Sequence, residues 1–328
     1  MRLIAHVDYV TEPGDSPDPV GFLLDTLADP ASLLILAAGA LAVAVLVLAW
    51  ARWRPLEGPR QRFVVHGHQY AEFVPWMIRL SVGLVLVGAG LSRVLFMPTL
   101  PASTILALLL TAAGFLILVG LAVRPAAIAT LGGYLVALVA NPGLVMMFDL
   151  AGGLAAAAVL GPGRPSLDDL LRAAFPRGPG ARAATENLGA GHFDDFVPLL
   201  VRIGLGGAFA ASGIADKLLV YDQALAAVEQ YQLTSVVPVS AQLWVVGAFL
   251  VETALGLAIL LGVLTRASAV VGFAVLTLAM FALPDDPVIA HVGLFGLASV
   301  LVVLGAGRWS VDRQVLQRIG DRIRASPS

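Results

Sequence analysis

The chain has 328 residues, of which 59% are hydrophobic and only 13% are charged. Soluble domains are about one quarter charged, so this composition excludes an ordinary soluble protein and indicates one that crosses a membrane several times. The sequence contains no cysteine, which excludes disulfide bonds, thiol catalysis and cysteine-ligated metal centres in this chain.

Residues 1–30 are acidic, with Arg2 as their only basic residue, and this pattern differs from the basic leader of a cleavable signal peptide. About nine later runs are long enough to cross the bilayer as a helix, which takes roughly 17 to 25 apolar residues. The predicted spans are Ala31–Trp50, Pro75–Phe96, Ala102–Val123, Pro125–Ala140, Gly143–Leu160, Pro198–Val220, Ala241–Leu264, Ala267–Leu283 and Val288–Leu304. The predicted fold class is therefore all-α, a polytopic membrane protein with about nine transmembrane helices.

The arginines predict the orientation in the membrane. Nearly all of the 20 basic residues lie in or beside the loops after the first, third, fifth and seventh spans, or in the tail. Cytoplasmic loops of membrane proteins are enriched in basic residues. The sequence therefore predicts a plasma-membrane protein with its N-terminus outside and its C-terminus in the cytoplasm.

The sequence after the first span is repeated. Arg79 corresponds to Arg202 and Arg124 to Arg266, and the phrases LGPGRPSLD and LGAGRWSVD close the two copies. Polar residues that match in the same order indicate an internal duplication. Each copy has four spans, and an even number makes the copies parallel, related by an axis along the membrane normal.

This duplication divides the chain into predicted parts. They are an extracytoplasmic segment (1–30), the first transmembrane helix with a cytoplasmic loop (31–72), a first unit of four helices (73–168), a cytoplasmic linker (169–196), a second unit of four helices (197–312) and a cytoplasmic tail (313–328). Ser166–Arg172 has the form of a short capped helix. The apolar spacing in Ser310–Ile323 predicts an amphipathic helix on the inner leaflet.

The second unit resembles the DoxX-like family of four-helix membrane proteins. The residues that carry the resemblance are Arg202 in the first helix, Gly213 and Lys217 at its end, Glu252 in the second helix, Leu260-Leu261-Gly262 with Arg266 after it, and the closing phrase Gly305–Asp312. The resemblance covers Pro198–Asp312 well and Pro75–Asp168 more weakly. In the first unit, leucine (Leu110) and valine (Val94) stand at the positions of the glutamate and the lysine, so a polar site is expected only in the second unit.

The resemblance implies a membrane subunit that is linked to respiratory redox chemistry. The members that name the family are small subunits of a thiosulfate:quinone oxidoreductase, and relatives are associated with other membrane redox or assembly roles. A quinone is therefore the implied cofactor, with no cofactor intrinsic to the chain and no metal. Without cysteine or a pair of haem ligands in the membrane, the chain is expected to be at most one subunit of an oxidoreductase.

Glu252 and Lys217 are the predicted catalytic residues. Glu252 lies near the middle of its span, where an ionised carboxylate costs about 2.5–3.5 kcal/mol. It should therefore face the bundle interior, protonated or paired, and carry protons or bind a quinone oxygen; the alternative is a hydrogen-bonded packing residue. Lys217 is the only lysine in the chain and either approaches Glu252 or extends to the membrane surface.

Four further residues are candidates for binding a cofactor. They are Arg202, Asp216, His291 and Tyr221. Asp216 points about 100° away from Lys217 around an α-helix, and His291 is a single histidine in the outer half of the last span, where a core role is also common. Tyr221 belongs to a predicted outer loop, Val220–Ser240, which would cover a pocket or contact a partner.

Three functions are compatible with these features. The first is a DoxX-like subunit or partner of a quinone-linked oxidoreductase, and the second is a carrier or channel for a small solute, because duplicated bundles with charges at mid-membrane depth are also typical of transporters. The third is a non-catalytic membrane anchor for a redox partner. The expected partners are the lipid bilayer, a redox protein and further copies of the chain; nucleic acid is not expected, because the arginines follow one membrane face.

Overall fold

The computed structural model describes residues 16–53, 57–175, 194–285 and 288–316. In these ranges the protein is almost entirely helical, which confirms the predicted all-α class, and its only strands form one short hairpin. Seven of the described helices are long and apolar enough to cross a membrane. Two shorter apolar helices, of 16 and 17 residues, occupy the remaining predicted spans.

Three helices precede the first unit. Helix α1 (Pro19–Ala28) begins after Asp18, whose side chain accepts a hydrogen bond from the Gly21 N–H. Helix α2 (Pro30–Trp53) is the first transmembrane helix, and very little of it is buried against the rest of the protein. Helix α3 (Glu57–Gln69) replaces the predicted cytoplasmic loop and packs beside the last transmembrane helix.

The first unit contains the predicted helices and an unpredicted hairpin. Its elements are α4 (Val74–Leu91), β1 (Val94–Leu95), β2 (Met97–Pro101), α5 (Thr104–Val119), α6 (Val123–Ala140), a 3₁₀ helix (Pro142–Met147), α7 (Phe148–Leu160) and α8 (Leu167–Ala174). The expectation that the second span continues to Phe96 is wrong: Arg93 and Phe96 both have left-handed backbone, and Pro98 cannot continue a helix. Helix α8 confirms the predicted capped helix, because Ser166 Oγ accepts a hydrogen bond from the Asp169 N–H.

The second unit has the same helices and a longer outer connection. Its elements are α9 (Val197–Ser212), a π-helical segment (Gly213–Leu219), α10 (Tyr221–Gln230), α11 (Leu233–Val236), α12 (Ala241–Leu261), α13 (Thr265–Ala282), α14 (Val288–Leu304) and a π turn (Asp312–Leu316). The predicted outer loop Val220–Ser240 is therefore largely helical, because Ala224, Val228 and Leu233 bury one apolar side of it. Most of the predicted linker and half of the predicted tail helix lie outside the described residues.

Each unit is packed around its first helix. Helix α4 packs on α5 and α9 packs on α12, and each also packs on the last helix of the other unit, α4 on α14 and α9 on α7. At the crossing of α9 with α7, a Cβ added to Gly204 would lie 2.8 Å from the Gly152 Cα. Glycine lets the two backbones touch there, as small residues do between membrane helices. The largest buried apolar cluster consequently contains residues of both units.

Arg79 and Arg202 make the same bonds in the two units. Arg202 donates to the carbonyl oxygens of Ile259, Leu260, Ala306 and Trp309, and Arg79 donates to those of Ile117, Leu118, Pro162 and Pro165. These oxygens belong to the last turn of the second helix, where carbonyls lack intrahelical partners, and to the closing phrase. We name this side of the protein the arginine end. The two units thus repeat contacts as well as residues, as a duplication would produce.

The closing phrases are held by their final aspartates. Asp312 accepts hydrogen bonds from the backbone N–H groups of Leu264 and Thr265 at the start of α13. In the first unit, Asp168 accepts one from Ala122 at the start of α6. These contacts close the arginine end of both units with polar groups that are satisfied within the protein.

Candidate functional site

A cavity of about 520 Å³ lies in the second unit, at the end opposite to the arginine end. Its wall is formed by α9 to α14, by Met146, Met147 and Asp149 of the first unit, and by Ile35 and Leu36 of α2. Most of the wall is apolar, and the polar side chains in it are Asp149, Ser212, Asp216, Lys217, Trp244, Glu252 and His291. An apolar cavity of this size with a few convergent polar groups is typical of small-molecule sites, which span about 300–1,000 Å³.

Lys217 and Glu252 meet at the inner end of this cavity. Lys217 Nζ lies 3.0 Å from Glu252 Oε2 and 3.7 Å from Asp216 Oδ2. Glu252 Oε2 has no hydrogen bond of good geometry among the described residues, so its contact with the ammonium is an ion pair. The contact that the sequence left open is therefore present, and Lys217 points inwards rather than to the membrane surface.

Ser212 connects this pair to Asp216. Ser212 Oγ donates a hydrogen bond of 2.7 Å to Asp216 Oδ2 and accepts one of 3.3 Å from Lys217 Nζ. Asp216 is fully buried, and the side chains of Lys217 and Glu252 are only 20% and 18% exposed. The four side chains, which we name the polar network, therefore place two carboxylates around one ammonium in a largely dry environment.

The π-helical segment brings Asp216 and Lys217 to the same cavity. On an α-helix these neighbours would point about 100° apart, whereas in the wider π turn both line the wall. Gly213 begins the segment, and a Cβ on it would lie 2.6 Å from Thr253 Oγ1 and 3.2 Å from Glu252 Cβ. Glycine therefore lets the segment pack directly against α12 beside Glu252. Local π turns recur at functional sites.

Two more titratable side chains lie where the units meet. Asp149, in the first turn of α7, is 3% exposed, and His291, in α14, is 6% exposed. A Cβ on Gly293 would come within 2.4 Å of Asp149 Oδ2, so this glycine leaves room for the carboxylate. Asp149 was missed as a site residue because it belongs to the first unit; its only sequence signal was an acidic residue within a short apolar span.

Helices α1, α10 and α11 cover the outer end of the cavity, and we name them the outer cap. Phe22 of α1 stacks on Tyr221 of α10 with ring centroids 4.2 Å apart. Tyr231 Oη donates a hydrogen bond of 2.7 Å to Asp285 Oδ2, which ties the cap to the turn after α13. Desolvation, followed by the charges of Asp222 and Asp18, raises the pKa of the Tyr221 phenol.

Trp244 lies between the outer cap and the cavity. Its ring lines the cavity, and its buried Nε1 finds no acceptor in the part of the chain that the structure describes. Leaving a buried donor without an acceptor costs about 1–3 kcal/mol. This N–H is therefore suited to an acceptor oxygen on a molecule bound in the cavity.

The predicted site residues do not all meet. Lys217, Glu252, Asp216 and His291 line the cavity. Arg202 lies instead at the arginine end, where it is 2% exposed and donates to four carbonyl oxygens, so its guanidinium stabilises the scaffold. Tyr221 belongs to the outer cap, where it stacks on Phe22 and packs behind the cavity wall without lining the cavity.

The helices that build this site match a known protein family. Residues 197–285 match the family model DoxX. The chain carries a DoxX domain. This domain runs from α9 to the end of α13 and holds all four residues of the polar network. Neither the curated proteins nor the solved structures contain a match to the chain.

The DoxX domain confirms the predicted resemblance over residues 197–285, while the resemblance of the closing phrase Gly305–Asp312 and of the first unit stays a prediction. Together with the seven long apolar helices of the described residues, the DoxX domain establishes a multi-pass integral membrane protein. Its exposed apolar helices contact the lipid bilayer.

Proposed function

We propose that this protein binds a quinone in the cavity of its DoxX domain and acts as a subunit or partner of a quinone-linked membrane oxidoreductase. The observation that carries the proposal is the Lys217–Glu252 pair, 3.0 Å apart at the inner end of an apolar cavity. Ionisable residues inside a membrane are expensive and generally functional. The family resemblance supplies the quinone as the ligand.

The residues of the cavity fit such a ligand. When a quinone is bound, it supplies two carbonyl oxygens that take up two electrons and two protons. The Lys217 ammonium would donate a hydrogen bond to one oxygen and stabilise negative charge there, an effect that is strong where water is excluded. The Trp244 N–H is a second donor on the same wall, and the apolar side chains would hold the ring.

The carboxylates of the polar network would hold and move protons. Asp216 and Glu252 are the two carboxylates nearest to the Lys217 ammonium, and they are the groups that would accept or return protons when a bound quinone changes its redox state. Ser212, which bonds to both Asp216 and Lys217, keeps the carboxylate and the ammonium in place. Electrons would come from a partner protein, because the chain has no cysteine to ligate a metal cluster.

The proposal includes the orientation that the arginines predict, with the arginine end in the cytoplasm and the cavity in the outer half of the membrane. At the arginine end, Arg79 and Arg202 tie helix ends to the closing phrases. A solute crossing the membrane would have to break these contacts. This arrangement favours a binding site over a carrier or channel.

Purification in mild detergent, followed by identification of bound quinones and proteins, tests the proposal. Wild-type protein should retain a quinone, and Glu252→Gln should lose it. Glu229→Gln, which alters an exposed carboxylate of α10, is the matched control and should retain the quinone. The proposal is contradicted if wild-type protein retains neither a quinone nor a redox partner. Retention of a partner protein without a quinone would indicate a membrane anchor. In a separate measurement, solute uptake into proteoliposomes would indicate a carrier.

A further inference from the structure

We infer that the cavity opens sideways into the bilayer between α12 and α13, and that its ligand has an apolar tail that leaves through this opening. The inference rests on the proposed function, because it concerns the same cavity. It adds the chemical class of the ligand, a lipid-borne amphiphile with a polar head and a long hydrocarbon chain. A water-soluble solute would not need such an opening.

The opening is marked by residues that line the cavity and are also exposed on the outside of the bundle. Val251 of α12 is 52% exposed, Leu278 of α13 is 68% exposed and Ile35 of α2 is 48% exposed, and each belongs to the cavity wall. A side chain that faced only an enclosed cavity would be covered on its outer side. We name these three residues the portal.

The portal faces hydrocarbon rather than water. Val251 lies near the middle of the 21-residue helix α12, and Leu278 lies about 6 Å from the outer end of α13, at 1.5 Å per residue. Their exposed neighbours Leu250 and Phe281 are apolar, as expected for a lipid-facing surface. The outer cap lies between the cavity and the outer aqueous side. The direct route into the cavity is therefore through lipid.

Small side chains and a loosely packed helix produce the opening. Gly247 and Ala248 of α12 line the cavity at this level, and their side chains are too short to fill the space towards α13. At the equivalent positions of the first unit stand the larger Ile105 and Leu106. Helix α2 flanks the opening through Ile35, yet it is barely buried against the bundle, so it borders the opening without sealing it.

The portal is also close to the polar network. Val251 directly precedes Glu252 in α12, and neighbouring Cα atoms are 3.8 Å apart. Val251, Glu252 and Lys217 all line the same cavity, so a head group held by the Lys217–Glu252 pair lies beside the membrane-facing opening. Its tail would pass between Val251 and Leu278 into the lipid.

Photo-crosslinking locates the tail. The probe is a benzoquinone with a ten-carbon tail that ends in a diazirine, added to wild-type protein in lipid nanodiscs. The expected labels fall on peptides that contain Ile35, Val251 or Leu278, and an unlabelled quinone with the same tail should compete. Labels on the cap helices α10 and α11 instead would overturn the inference.

A pair of variants provides a second test. Val251→Trp with Leu278→Trp should narrow the portal and weaken binding of the tailed quinone by about tenfold, the effect of losing contact with about two methylene groups. The matched control is Leu109→Trp with Val136→Trp, which alters the equivalent positions of the first unit, 60% and 74% exposed, and should bind like wild type.

The two proposals fail in different ways. If wild-type protein binds no quinone at all, the proposed function is contradicted. If wild-type protein binds the tailed quinone and the portal variant binds it as tightly as the control variant does, only the sideways opening is contradicted.

Discussion

Removing the ammonium of Lys217 should destabilise the protein more than removing the Glu252 carboxylate. In the wild type one ammonium lies 3.0 Å from Glu252 and 3.7 Å from Asp216. At an effective dielectric constant of about 20, each attraction is about 5 kcal/mol, and the desolvation of the three groups offsets much of it. The net effect therefore depends on which charge is left without a partner.

Lys217→Met leaves two largely buried carboxylates without a cation, and breaking a buried pair in this way costs about 3–5 kcal/mol. Glu252→Gln leaves Lys217 paired with Asp216 and hydrogen-bonded to Ser212, so its cost should be about 1–2 kcal/mol. The double variant should be less destabilised than Lys217→Met alone, because one of the two unpaired carboxylates has been removed as well.

Equilibrium unfolding in mixed micelles, followed by circular dichroism, measures these free energies of unfolding. The expected order of stability is wild type, then Glu252→Gln, then the double variant, then Lys217→Met. Equal losses for the two single variants, or a loss in the double variant equal to their sum, would refute the polar network as described.

Three further predictions concern the scaffold and the cavity wall. Arg202→Met should lower the free energy of unfolding by about 2–4 kcal/mol, because four carbonyl oxygens lose a charged donor. The folded variant should keep its bound quinone, and loss of quinone from folded protein would show that Arg202 contributes to the binding site. Gly204→Ala should lower the free energy of unfolding by about 1–3 kcal/mol, because its Cβ would meet the backbone of α7. The control Gly132→Ala places its Cβ in open space and should stabilise its helix slightly. Equal effects of the two variants would contradict the close helix crossing. Trp244→Phe should weaken quinone binding about 5- to 30-fold, as expected for one lost hydrogen bond to a buried donor, and unchanged affinity would show that the N–H does not contact the ligand.

Much of the fold follows from the sequence because a membrane helix must be apolar along its whole length, whatever its neighbours are. The predicted span Val288–Leu304 agrees with the helix at both ends. The sequence offered Arg202 as a cofactor-binding candidate, yet it also contained the signal of a scaffold role, because Arg79 stands at the equivalent position of the first unit while Lys217 has no counterpart there. Residues that recur in both units belong to the common framework, whereas Lys217 and Glu252 occur only in the second unit.

The remaining features depend on backbone geometry and on contacts between units. Asp216 and Lys217 both line the cavity from a π-helical segment, whereas the helical periodicity used to place side chains assumes 3.6 residues per turn. The chain leaves α4 early because Arg93 adopts a left-handed backbone, which no composition rule assigns to arginine. Asp149 reaches the cavity because α7 packs on the first helix of the other unit, and an apolar pattern within one helix does not specify that neighbour.

A quinone site at the Lys217–Glu252 pair can be tested directly through the fluorescence of Trp244 in the cavity wall. The chain has five tryptophans, and a variant that keeps only Trp244, with phenylalanine at the other four positions, can be titrated with a tailed quinone in nanodiscs. We expect saturable quenching that persists after Glu229→Gln and is lost after Glu252→Gln. Quenching that never saturates, or that is the same in Glu252→Gln, would contradict a quinone site at the Lys217–Glu252 pair.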